Sequence, residues 1–141
     1  MSTEIDPART STLTLRVRFC ETDLMGIVHH GSYLVYFEAG RVEWLRRRGV
    51  TYADWAERGV HLPVVEAHAH YHAPARFDDL LEIETTLADL RTVSLKYTYR
   101  VKRDGRVLTE GYTRLGCIDA EHKLLRIPEE MRAVLLAPEQ A

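Results

Sequence analysis

Apolar and polar residues alternate from Thr12 to Phe19, with Leu13, Leu15, Val17 and Phe19 on one side and Thr12, Thr14, Arg16 and Arg18 on the other. A period of two marks a strand with one face buried, so all four apolar residues are expected inside. After a short loop the period lengthens. Tyr33, Phe37, Gly40, Trp44 and Leu45, with Tyr36 beside them, recur at intervals of three and four, while Glu38, Arg41, Glu43, Arg46 and Arg47 lie mostly off that stripe. This spacing predicts an amphipathic helix over residues 33–48. Glycine inside a helix costs about 1 kcal/mol relative to alanine, so Gly40 on the buried stripe points to close backbone packing against a sheet. Arg46, Arg47 and Arg48 suit the negative end of the helix dipole, and Gly49 supplies the stop.

Residues 51–58 predict a short helix closed by Gly59. Four strand-like runs follow, at roughly 62–71, 80–89, 94–103 and 106–119, and Asp104-Gly105 between the last two is a strong hairpin signal. In the third run Leu95, Tyr97, Tyr99 and Val101 share one face. Pro128 opens a terminal helix reaching Leu136. A strand, a long helix and then four strands describe an α+β domain, with an antiparallel sheet of about five strands curled around one central helix. One helix covers one sheet face, so the second face is expected to need another cover, of which a partner subunit is the simplest. Residues 1–11 are expected to form a flexible tail and residues 12–138 a single domain.

Composition narrows the class. A chain of 141 residues, 45% apolar and 28% charged, fits one globular domain with its own core. A net charge of −2 gives no general attraction for nucleic acid, and none is expected as a partner. Cys20 and Cys117 stand far apart in no paired motif, which suits a reducing compartment, although one long-range disulfide stays open. The stretch MSTEIDPARTST lacks the apolar centre of a secretion signal, and no run approaches the ~18 apolar residues of a membrane span. The expectation is a soluble cytoplasmic protein without membrane insertion.

The candidate chemistry sits where the first strand gives way to the helix. The turn-rich segment Cys20-Glu21-Thr22-Asp23-Leu24-Met25-Gly26 holds Asp23 a few residues ahead of the helix start. The first N–H groups of a helix lack intrahelical partners and carry the positive dipole end, so an acid and those donors could converge on one ligand. Taken alone, Asp23 suits a turn or a helix cap equally well.

The run Arg16-Val17, Thr22-Asp23, Gly26-Ile27-Val28, His30 and Tyr33 resembles the active-site signature of the 4-hydroxybenzoyl-CoA thioesterase family, whose members have the hotdog fold. Tyr33–Glu43 resembles the family's Tyr-rich helix with its Glu-Ala-Ala-Arg core, and His72–Glu82 resembles its Pro-Ala-Arg-x-Asp-Asp connection. The likeness spans about residues 13–135 and is nearest to the bacterial acyl-CoA thioesterases associated with the Tol-Pal envelope system. It implies hydrolysis of an acyl-CoA or acyl-carrier-protein thioester, no cofactor, and a homotetramer of paired dimers. It also carries the catalytic carboxylate onto Asp23 and the carbonyl-polarising backbone N–H onto His30, leaving the His30 imidazole undecided. Chemically, an ionised carboxylate (reference pKa about 3.9) can attack the thioester or activate water, while preorganised N–H groups take the charge developing on oxygen. Gly26 and Gly31 are expected to permit close approach of the loop and the acyl group, and Tyr33 to line the site.

Other candidates compete with plainer roles. Glu38 is a second carboxylate on the helix, but Arg41 three residues on makes a structural ion pair the expectation. Cys20 is expected to be a small buried hydrophobe, since no group to activate its thiol is evident. His68, His70 and His72 would share a strand face, and imidazole suits zinc or nickel. With Val65, Ala67, Ala69 and Tyr71 facing inward, however, they read as a surface or interface stripe without a fourth ligand. Arg91 is the candidate for the CoA phosphates. Two rival functions stand: a hotdog dehydratase, for which the expected Pro-Gly-rich histidine loop is missing, and a non-catalytic acyl-thioester-binding or envelope-complex interaction module.

Overall fold

A computed structural model describes residues 7–140. In chain order it contains β1 (Thr10–Arg16), α1 (Ser32–Arg46), α2 (Tyr52–Glu57), β2 (Val64–Tyr71), β3 (Leu80–Leu90), β4 (Ser94–Arg103), β5 (Arg106–Gly116) and α3 (Glu129–Leu135). The strands form one sheet in the order β1-β3-β4-β5-β2, every neighbouring pair antiparallel. Helix α1 touches all five strands, the hotdog arrangement expected from the element order.

The predicted stripe of α1 is the buried one: Tyr33, Tyr36, Phe37, Gly40, Trp44 and Leu45. It meets Leu95, Tyr97, Tyr99 and Val101 of β4, buried as their alternation predicts. Phe37 stacks on Tyr99 with ring centroids 4.3 Å apart, and Trp44 lies edge-on to Tyr97 at 5.2 Å. A methyl group added at Gly40 would collide with Thr85 Oγ1 and lie 3.0 Å from Ile83 Cγ2, so the glycine does mark a close helix–sheet approach. Gly111 in β5, unremarked in the sequence, plays the same part from the sheet side beneath Phe37. Asp104 and Gly105 both take positive φ, 51° and 79°, as the tight β4–β5 hairpin requires.

Several expectations fail for physical reasons. Phe19 is 77% exposed, because the chain leaves the sheet after Arg16 and residues 19–21 form a 3₁₀ turn; its ring meets that of Phe77 instead. Cys20 on the same turn is exposed, not buried. Strand β1 begins at Thr10, so residues 10 and 11 belong to the sheet and not to a tail; residues 1–6 of that tail lie outside the described residues. Val65 is exposed because β2 is an edge strand with a register shift between Val64 and Glu66. Arg48 does more than end the helix. Its guanidinium is buried over the Trp44 ring and donates to Ser11 Oγ at 2.9 Å and to the carbonyls of Trp44 and Ala137. Burial lowers its pKa.

The argument for a cover on the second sheet face also falls. That face is polar: Glu84 accepts from Arg100 at 3.1 Å and from Lys102 at 2.8 Å, Arg114 donates to Asp89, and Lys96 lies over the Tyr112 ring. An antiparallel sheet can present such a face to water, so it demands no partner. Among the described residues, no helix is long and apolar enough to cross a membrane.

Candidate active site

The loop between β1 and α1 is built by its own hydrogen bonds. Asp23 N–H donates to Ile27 O at 2.9 Å, Gly26 N–H to Asp23 O at 3.0 Å, and Met25 N–H to Asp23 Oδ1 at 2.8 Å. Gly26 closes this turn at φ 78°, a conformation that L side chains resist, while the space around its Cα is open. The turn itself therefore requires glycine here. The second carboxylate oxygen of Asp23 has no partner among the described residues, leaving it available for chemistry. Val28 N–H donates to Ala75 O, which ties the loop to the β2–β3 connection.

The donors at the helix start prove fewer than expected. Ser32, Tyr33 and Leu34 direct their N–H groups to the carbonyls of His29, His30 and Gly31, and Gly31 N–H is taken by His29 Nδ1 at 3.1 Å. The His30 N–H has no acceptor among the described residues. Its direction follows from the peptide plane. In a trans amide the C=O and N–H point opposite ways, and His29 O is fixed towards the helix by Ser32 N–H at 2.9 Å. The His30 N–H thus points away from the helix. Tyr71 OH holds the other side of this residue, donating to His30 O at 2.9 Å.

Asp23 and His30 open onto the same cavity, of about 320 Å³, with Met25, Ile27, Val28, Tyr33, Tyr71, His72, Ala73 and Pro74 as its other walls. Tyr33 is buried, its hydroxyl accepting from Ala75 N–H at 3.4 Å, and burial pushes its pKa up, so it is present as the neutral phenol. Behind the cavity stand two charged supports. Glu21, buried, accepts from Arg18 N–H at 2.8 Å and from Tyr36 OH at 3.0 Å, with the Arg18 guanidinium on its other oxygen. Its backbone carbonyl accepts from His29 N–H and Ser32 Oγ. Burial and Glu21 together push the Tyr36 pKa far up. On the other side Asp79 accepts from Arg103 at 2.6 Å and from Arg76 N–H at 2.8 Å. Burial opposes charge on Asp79, but these two donors outweigh it and hold the carboxyl below the ordinary range.

The chain thus gathers Asp23, His30 and Tyr33 around one cavity, with Gly26 shaping the loop and Gly31 capping α1. It does not bring Arg91 there. That residue sits at the turn after β3, 61% exposed and paired with Asp89 at 2.8 Å, about 33 Å along the strand from the Leu80 end beside the site. Glu38 faces Arg41 at 3.8 Å, at the helical spacing foreseen for the pair. His68 stacks on Tyr112, His70 on His72, and His72 Nε2 meets Glu110 Oε2 at 3.0 Å. Glu21 escaped sequence reasoning. The visible signal was its capping-box spacing after Arg18; its bond to Tyr36 is tertiary.

An antiparallel sheet around one long helix, with a free carboxylate and a free backbone N–H sharing a cavity at the helix start, defines the hotdog thioesterase class. The comparisons agree with this assignment. Residues 17–135 match the model of the Thioesterase-like superfamily, and the chain belongs to that family. It is 35% identical over 106 residues to the acyl-CoA thioester hydrolase YbgC of Escherichia coli O6:H1, covering 74% of this chain and 79% of that protein. The acyl-CoA thioesterase YbgC of Haemophilus influenzae is 31% identical over 121 residues, 84% of this chain and 89% of the other. Among solved structures, the hypothetical protein TT1821 from Thermus thermophilus superposes with a TM-score of 0.86 at 45% identity, covering 89% of this chain and 96% of its own.

Proposed function

We propose that this protein hydrolyses an acyl-CoA thioester to the free acid and CoA, with Asp23 as nucleophile or general base. The observation that carries the reading is that Asp23 and His30 line one cavity while one Asp23 carboxylate oxygen and the His30 N–H have no partner among the described residues. The thioester carbonyl accepts from His30 N–H, which stabilises the oxyanion as it forms. Asp23 then either attacks the carbonyl carbon, giving an acyl anhydride that water opens, or takes a proton from an attacking water. In both routes the C–S bond breaks, the thiolate leaves as CoA and takes up a proton, and the acid is released.

The test is Asp23→Asn. It should fold with an unchanged far-UV spectrum while kcat falls by about three orders of magnitude. A variant within about twofold of wild type would sink the proposal. Label in the Asp23 carboxylate after a single turnover in ¹⁸O water marks the nucleophile route with water opening the anhydride at the aspartyl carbonyl. An acyl-CoA and acyl-carrier-protein panel assigns the carrier and the acyl group.

Assembly belongs to the same reading. Strand β2 is a free edge with Val64, Val65 and Tyr71 exposed along it, and edges of this kind pair with a second copy. Pairing there supports a dimer, and two such dimers the homotetramer; light scattering at the mass of one chain would overturn it. Within one chain, exposed Arg76, bridged through its backbone to cavity-lining Ile27, is a nearer cation for CoA phosphates than Arg91. The cytoplasm, where CoA thioesters are formed, is the implied location.

A further inference from the structure

A second open cavity, of about 290 Å³, lies farther along α1, beyond the Tyr33 position. It is walled by Val42, Ala56, Val60, Leu62 and Leu115, with Glu38, Arg41, Tyr52 and His61 as its polar members. Arg41 is eight residues beyond Tyr33, roughly 12 Å along the helix axis. The reaction described above uses none of these groups.

Arg41 is poorly satisfied for so enclosed a cation. Its side chain is only 12% exposed, its guanidinium has the buried Tyr99 hydroxyl beside it, and its carboxylate partner, Glu38 Oε2, stands off at 3.8 Å. Glu38 itself is 65% exposed, so solvent screens much of that attraction. A guanidinium carries a fork of five donors matched to a planar carboxylate, and one phenol hydroxyl leaves most of that fork unpaired, which is costly on burial. The Tyr52 hydroxyl lies buried behind that wall beside the Tyr97 hydroxyl, and among the described residues neither has a hydrogen-bond partner in good geometry. Burial pushes the Tyr52 phenol up to about 12, which keeps it a neutral donor. Apart from Glu38 and His61, the remaining wall is aliphatic.

We propose that this cavity is a binding site for a small monocarboxylate with an apolar body, the carboxylate on the Arg41 fork and the body against Val42, Val60, Leu62 and Leu115. At about 30 Å³ per water-sized group the space holds a ligand of about ten heavy atoms, a short aliphatic or single-ring acid. Free acids of this class are what the proposed reaction releases, so the choice of ligand rests on that reading, while the site itself does not. Such a site would let product accumulate on the enzyme without occupying the catalytic cavity.

The experiment is a titration of methyl-labelled protein with hexanoate and with benzoate, followed by NMR, with hexan-1-ol as the uncharged control. Saturable shifts are expected at Val42, Val60, Leu62 and Leu115 in wild type and equally in Asp23→Asn, with dissociation constants in the millimolar range and no saturation by hexan-1-ol. Arg41→Lys, which keeps the charge and loses the fork, should weaken binding about fivefold to tenfold, and Arg41→Met by more. Glu38→Gln, which removes the competing carboxylate, should tighten it by about threefold. Shifts confined to Met25, Ile27 and Val28 of the first cavity, equal binding of the alcohol, or a folded Arg41→Lys binding like wild type would each overturn the proposal. Because Asp23→Asn is read for both binding and turnover, an active Asp23→Asn defeats the reaction reading alone and absent hexanoate and benzoate binding defeats this inference alone.

Discussion

Gly111→Ala tests how tightly α1 and the free edge strand are held against β5. A methyl group there would fall inside the contact radius of the His68 carbonyl oxygen on β2 and lie 2.7 Å from Phe37 Cε2. Neither neighbour yields cheaply. The first is backbone in the β2–β5 ladder, and the second is a ring stacked on Tyr99. Overpacking of this kind costs about 1–3 kcal/mol, and loosening the aromatic pair adds about 0.5–1.5 kcal/mol. Alanine recovers about 0.5–1 kcal/mol of the entropy glycine loses on folding. The net expectation is a destabilisation of about 2–3 kcal/mol. For a chain of this size that is roughly 6–10 °C in Tm, or about 1 M in urea midpoint at an m-value near 2 kcal/mol/M. Urea unfolding followed by far-UV circular dichroism, at fixed protomer concentration, reads it directly. Displacing β2 also displaces Tyr71, which holds His30, so kcat should fall in the folded variant. A midpoint within about 0.2 M of wild type would refute the close approach.

Glu21→Ala should lower kcat by about tenfold to a hundredfold with KM near wild type, because the Glu21 carboxylate ties Arg18 to Tyr36 and so fixes the backbone whose carbonyl holds His29 and Ser32 beside the His30 donor. Glu21→Gln, whose amide still accepts from Arg18 N–H and Tyr36 OH, should recover most of the rate; equal losses in both, or none in either, would remove this positioning role. The depressed Asp79 carboxyl gives a sign for acid stability: a pKa lower in the folded than in the unfolded state stabilises above the unfolded value, and this contribution disappears as pH falls through the folded one. Asp79→Asn should therefore lower Tm at neutral pH, with the gap to wild type closing from about pH 5 downward. Parallel Tm-against-pH curves would show that the Asp79–Arg103 pair carries no pH-dependent stability.

Much of this protein is local, and local information survives in the sequence. The alternation in Leu95, Tyr97, Tyr99 and Val101, the three-and-four spacing of the α1 stripe, the Asp104-Gly105 turn and the place of Asp23 ahead of the helix all describe short-range geometry, and the structure keeps each. Tertiary packing decided the rest. Phe19 continues an alternation yet leaves the sheet, since a period records a pattern and not where the chain turns away. The polar second sheet face was written in Glu84, Arg100 and Lys102, but only strand pairing set those charges beside one another. The same holds at the site. The sequence placed an acid near a helix start and expected the helix N–H groups to serve it. Folding instead spent the N–H groups of Gly31, Ser32, Tyr33 and Leu34 on neighbouring acceptors, brought in Tyr71 and Glu21 to fix the intervening peptide, and among the described residues left unpaired, on a residue lining the Asp23 cavity, the His30 N–H that the family resemblance had named. Hydrogen-bond satisfaction is a property of the assembled backbone, and residue order alone does not carry it.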